Sequence, residues 1–132
     1  MTDYVIIEPD GELTLGEGYP AGEVGCHGYC GQVLPRTRSG IGPSVSILRM
    51  IGCERAMCPG EHEPNPIAQA VLSALGLAWP MDGRIAICRI DWAAEPEPLT
   101  PTDIKNLRNM AAAARAVISH GVPPSERQEL PR

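Results

Sequence analysis

The chain is predicted to be α+β, with a small mixed or antiparallel sheet, two helices and a Cys/His-rich loop region. Three observations lead there. Short apolar runs flank a Pro-Asp-Gly turn near the start, at residues 4–8 and 12–15. Two later runs, 43–51 and 84–92, carry strand patterning. Two further segments open on helix caps, at Asn65 and Thr100, and continue with a helical apolar stripe.

The elements follow in order. Residues 4–8 and 12–15 around Pro9-Asp10-Gly11 read as a β-hairpin, since this tripeptide supplies a fixed φ, an Asx acceptor and a left-handed position. Residues 16–43 hold eight glycines with no surviving period and are read as loop. Residues 43–51 begin an alternation at Val45 and Ile47 and predict a strand. Residues 84–92 predict a central strand, because Ile85 and Ile87 share one face while Ala86, Cys88, Ile90 and Trp92 share the other. The first helix takes Asn65 as N-cap and Pro66 as first residue, stops before Gly76, and carries Ile67, Val71, Ala74 and Leu75 on one stripe. The second starts near Thr100 with Asp103 in capping-box position and runs to about Ser119, with Gly121 as the stop. Its apolar face is Leu107, Met110, Ala111, Ala114, Val117 and Ile118. Lys105, Arg108 and Arg115 lie together beside it and read as a solvated face. Residues 94–98 (Ala-Glu-Pro-Glu-Pro) read as a stiff linker, and 122–132 as a flexible C-terminal tail. Residues 1–121 then form a single domain.

Composition narrows the function classes. At 132 residues the chain can build a real core, but it has no Phe, 4% aromatics and 14 each of Gly and Pro. A core of aliphatic side chains interrupted by irregular segments gains from a staple. Net charge is −5. Residues 1–25 contain six acids and no base, whereas Arg36, Arg38, Arg49 and Arg55 follow with only Glu54 against them. An acidic molecule with one local basic segment is poorly suited to non-specific DNA binding, where phosphate contacts dominate affinity. The N-terminus has no basic region before its short apolar run, and no window approaches a membrane span. A cytoplasmic location is expected, where disulfides are rare and thiols are available to metals.

Four of the five cysteines and two of the three histidines fall between residues 26 and 62. Cys26 and Cys30 form a Cys-x₃-Cys pair, and Cys53 and Cys58 a Cys-x₄-Cys pair with His62 four residues on. Structural zinc takes four soft or borderline donors, usually as two close pairs on tight turns joined by a longer connection. Segment 26–62 is therefore expected to hold structural zinc through Cys26, Cys30, Cys58 and His62, with Cys53 as the competing ligand. The plainer alternative is a set of separate buried thiols and a surface histidine. Cys88, in the central strand, reads as core. His27 beside Cys26 lacks an orienting third group for nucleophilic catalysis. Glu61 and Glu63 flank His62 and would serve as base only if the metal kept an open coordination position.

The opening Val-Ile-Ile-Glu-Pro-Asp-Gly-Glu at 5–12, Asn65-Pro66-Ile67-Ala68, Gly83-Arg84-Ile85-Ala86-Ile87 and Glu97-Pro98-Leu99-Thr100 resemble short uncharacterised proteins of actinobacterial phages and plasmids. The resemblance touches about a third of the chain and does not extend to the Cys-rich segment. It implies a mobile-element origin, where small proteins often bind a host protein. The expectation is thus a non-enzymatic, zinc-binding protein acting on a host protein in the host cytoplasm, with Arg36, Arg38, Arg49 and Arg55 as candidate binding surface. The alternatives are a nucleic-acid-binding regulator using those arginines and a small metal-dependent hydrolase.

Overall fold

A computed structural model describes residues 1–25, 28–55, 62–78 and 81–120. The predicted hairpin is present: β1 (Tyr4–Ile7) pairs with β2 (Leu13–Gly16), Tyr4 opposite Gly16 and Ile7 opposite Leu13. Its turn closes because the Asp10 carboxylate accepts the Glu12 N–H at 2.9 Å and Gly11 donates to the Glu8 carbonyl at 2.8 Å. Gly11 has φ +90°, and a Cβ there would lie 2.3 Å from Ile67 Cδ1. The left-handed backbone favours glycine, and a larger residue would also have to displace the Ile67 side chain.

The chain continues through a one-turn helix α1 (Ala21–Val24), β3 (Tyr29–Val33), two 3₁₀ turns and β4 (Ser46–Cys53). Then come α2 (Pro66–Ala74), β5 (Ile85–Asp91), β6 (Pro96–Glu97) and α3 (Pro101–His120). The sheet order is β2-β1-β5-β4-β3 and every pairing is antiparallel. β6 pairs with Arg89 and Ile90, taking up the edge of β5 just beyond Cys88, where β1 stops. The fold is α+β with an antiparallel sheet, and β5 is central as its two apolar faces predict.

The two faces of the sheet are covered unequally. Val5, Ile7, Leu48, Met50, Ile85 and Ile87 point to the side where α2 and α3 contribute Ile67, Val71, Leu72, Leu107 and Ala111. Among the described residues, the opposite side buries Tyr4, Ile6, Ile51, Ala86 and Cys88 beneath Ala21 and Val24 of α1. Burial pushes the Cys88 thiol up to about 11, as expected of a core cysteine.

Two predicted boundaries are corrected. The glycine-rich stretch 16–43, read as loop, contains α1 and β3. Tyr-Cys-Gly-Gln-Val has no apolar alternation, and it is the free edge of β4 that makes it a strand, with Tyr29 opposite Cys53 and Val33 opposite Arg49. Residues 94–98, read as a linker, form a turn and β6: Asp91 Oδ1 accepts the N–H groups of Ala93 and Glu95 at 2.8 and 2.9 Å. That turn ends β5 before Trp92, which is 65% exposed instead of completing the apolar face.

Both helix caps form. The Asn65 side chain accepts the Ala68 N–H at 3.0 Å. Thr100 and Asp103 exchange the two bonds of a capping box, at 2.9 and 3.0 Å. Asp103 also receives a two-pronged bond from Arg89 at 2.9 and 2.6 Å, tying the start of α3 to β5. Burial opposes ionisation of Asp103, but the Arg89 and Thr100 bonds outweigh it and hold its carboxyl below the usual range. Among the described residues no helix is long and apolar enough to cross a membrane. The expected C-terminal tail and the Gly121 stop lie outside the described residues.

Candidate functional site

Cys30 enters the predicted metal segment from β3, and Cys53 from the last position of β4. Their register separates them: Cys30 lies opposite Gly52, whereas Cys53 lies opposite Tyr29. Neighbouring strand positions alternate between faces, so the two side chains leave the sheet on opposite sides. What joins them is a 3.8 Å contact from Cys30 Sγ to the Cys53 carbonyl. Cys53 is buried, and its sulfur accepts the Arg55 N–H at 3.5 Å. Cys30 is half-buried, and burial raises its thiol pKa, with Cys53 and Glu54 adding to the effect.

His62 reaches the same end of the sheet by another route. It packs over Gly83, where a Cβ would lie 3.1 Å from His62 Cβ, and Gly83 donates to the Glu63 carbonyl at 2.7 Å. Gly83 comes just before β5, whose first residues run beside the last residues of β4. Among the described residues no three His, Cys, Asp or Glu side chains are grouped closely enough to hold a metal. Cys26, His27, Cys58 and Glu61 lie outside the described residues; Glu63 is exposed.

The four arginines do not share one surface. Arg36 lies on the helix side, its stem against Gly76 and its guanidinium 3.5 Å from the Ala74 carbonyl. Arg49 lies on the opposite face, where it bonds the Tyr19 hydroxyl at 3.1 Å. Arg38 and Arg55 are exposed. The acids near the N-terminus are partly tied down in turn. Glu8 receives both prongs of Arg84 at 2.8 and 3.0 Å, and this bond, against a smaller effect of burial, lowers its pKa. Asp3 accepts the Gly18 N–H at 2.7 Å.

No protein-family model, curated protein or solved structure matches this chain. Its reading rests on its own geometry.

Two features escape a reading of the sequence. Tyr19 and Tyr29 meet edge to face, ring centres 6.1 Å apart, beside Arg49 on the thinly covered side of the sheet. Both sit in the glycine-rich stretch that shows no period, so no pattern marks them. The second is an apolar groove of about 640 Å³ between α2 and α3. The amphipathic stripe of α3 predicts a buried face, but not that it overhangs: Val117 and Ile118 remain 56% and 42% exposed.

Proposed function

We propose that this is a non-enzymatic binding protein of phage or plasmid origin, acting on a host protein and stapled by structural zinc. What supports the zinc is that two of the proposed ligands, Cys30 and His62, lie toward the same end of the sheet. Cys30 starts from β3 there, and His62 packs over Gly83 at the start of β5. In the sequence Cys26 comes three residues before β3, and Cys58 falls between β4 and His62. Two thiolates from one side of a long connection, with one thiolate and an imidazole from the other, are the soft and borderline donor set that zinc favours. The opposite facing of Cys53 and its bond from the Arg55 N–H support the set Cys26, Cys30, Cys58 and His62 over one that includes Cys53. Zinc would supply no reaction chemistry here; it would join β3 to the segment that leads from β4 into α2. Zinc requires a deprotonated thiol, and the raised Cys30 pKa means affinity should climb with pH.

Elemental analysis of protein purified without added metal tests the staple. One zinc per chain, with a marked loss of thermal stability on chelation, is the expected result. Cys30→Ser should abolish retention of the metal while Cys53→Ala should keep it. A metal-free, fully folded protein would sink the reading.

The Tyr19–Tyr29–Arg49 cluster supports a second reading, single-stranded nucleic acid stacked on the thinly covered sheet face. Binding would then weaken steeply with salt, and Arg49→Ala would reduce it. No binding of a fluorescent oligonucleotide at low salt would dispose of this alternative.

A further inference from the structure

Among the described residues three arginines are half-buried: Arg49, Arg84 and Arg89. A guanidinium drawn partly out of water has five N–H donors to satisfy, and a carboxylate that takes two of them at once is the strong solution. Arg84 and Arg89 reach it in the same way. Each turns its Nε–Nη2 edge to a carboxylate, Glu8 for Arg84 and Asp103 for Arg89, and gives Nη1 to another oxygen. Arg49 does only the second part. Its Nη1 bonds the Tyr19 hydroxyl at 3.1 Å, while its Nε–Nη2 edge meets no acceptor among the described residues. That edge is turned toward Gly31, where a Cβ would lie 2.5 Å from both Nε and Nη2 and 2.8 Å from Cζ. A point nearer both nitrogens than the carbon between them lies off the donor edge and not over the face of the group. Glycine at 31 thus keeps a side chain out of the place where a chelated oxygen would sit.

We propose that Arg49 and Gly31 form a carboxylate-binding subsite, and that its ligand is an acidic side chain or the chain terminus of a protein partner. This deepens the protein-binding reading and rests on it. The guanidinium is set before the ligand arrives: Tyr19 holds Nη1, and Tyr29 meets the Tyr19 ring edge to face. A group already fixed in its binding geometry loses little freedom on association. Tyr29 and Val33, both exposed, flank Gly31 on the same face of β3 and would pack against the stem that carries the carboxylate. Charge favours a carboxylate over a nucleic-acid strand. One carboxylate needs one such edge, whereas a strand brings a phosphate at every nucleotide to a molecule that already carries −5.

Sodium acetate, titrated into the full chain against sodium chloride at matched ionic strength, tests the subsite through the arginine Nε–Hε resonances. The Arg49 signal is identified by its loss in Arg49→Lys. Acetate should shift it along a saturable curve that chloride does not reproduce, while Arg84 and Arg89, whose edges are already bonded, stay in place. Gly31→Ala sets a methyl group against the end of a flexible side chain, so the fold should persist by circular dichroism. Its acetate affinity should fall about tenfold, the worth of one charge-assisted bond. An Arg49 response equal for acetate and chloride, or one that survives Gly31→Ala, overturns the proposal. So does a short oligonucleotide that moves the Arg49 signal at concentrations where acetate does not, which would give the site to phosphate. The readout needs no partner protein, so loss of the subsite and loss of the protein-binding reading are separate results.

Discussion

Asn65 shows how much one side chain can hold. It is 1% exposed, caps α2 through Oδ1, and donates from Nδ2 to the Ile7 carbonyl at 2.9 Å and the Gly83 carbonyl at 2.6 Å. It therefore ties α2 to the ends of β1 and β5. Asn65→Ala removes the cap and strands buried carbonyls, and should cost about 3 kcal/mol in urea unfolding; a loss below about 1 kcal/mol would contradict this account. Asn65→Asp keeps the acceptor but turns a carboxylate on two carbonyls, and should be worse. The carboxylates of Glu8 and Asp103 set an acid limit. Both pKa values are lowered in the fold, so their contribution is complete above the ordinary carboxylate range and is lost as pH falls through the depressed values, below about pH 4. Asp103→Asn should flatten that part of the stability–pH curve and cost about 2 kcal/mol at neutral pH, since Arg89 is only 12% exposed. An unchanged curve would show that Asp103 is ionised equally in the unfolded chain. The Cys88 thiol, pushed up to about 11, should resist alkylation in the native protein and react only on unfolding.

Secondary-structure elements formed without help from distant residues were legible wherever chemistry acts over three or four residues. The caps at Asn65 and Thr100, the Pro-Asp-Gly hairpin and the two-sided apolar pattern of β5 all belong to this class. β3 and β6 were not legible, because each exists through pairing with a neighbour far along the chain or through a turn of unfavourable geometry. Ala94 makes that point: it is the one described non-glycine residue with positive φ, at 62°. Ala94→Gly should relieve the strain and raise stability by about 0.5–1 kcal/mol, read from the thermal midpoint. A destabilised variant would mean the flexibility added to the unfolded chain outweighs the relief. At the other edge, Gly16 lies beneath the Tyr4 ring, where a Cβ would be 2.2 Å from Cζ. Gly16→Ala should displace β2 or the ring and cost about 1–3 kcal/mol.

Among the described residues the molecule is lopsided. One side of the sheet carries two helices and most of the core; the other carries a single helical turn, a tyrosine pair and Arg49. The proposed staple would act at the end of the sheet where β3 begins. Chelation should therefore lower the midpoint more in the wild-type protein than in Cys30→Ser, which starts from the apo value. Equal melting with and without chelator would remove zinc from the account and leave the fold unchanged.

The sequence by itself determined the class of fold, the two long helices, the hairpin and the centrality of β5, because caps, turns and periodicity are local properties of neighbouring residues. It also singles out the residues proposed as zinc ligands, since ligand chemistry is a matter of residue type and spacing. Only the tertiary structure decided which residues share a face. Register sent Cys30 and Cys53 to opposite sides of the sheet and divided Arg36 from Arg49, which a linear reading had grouped. The same packing left Val117 and Ile118 beside an uncharged groove. A helical stripe specifies which side chains avoid water, but what they lie against is set by elements that the stripe does not encode.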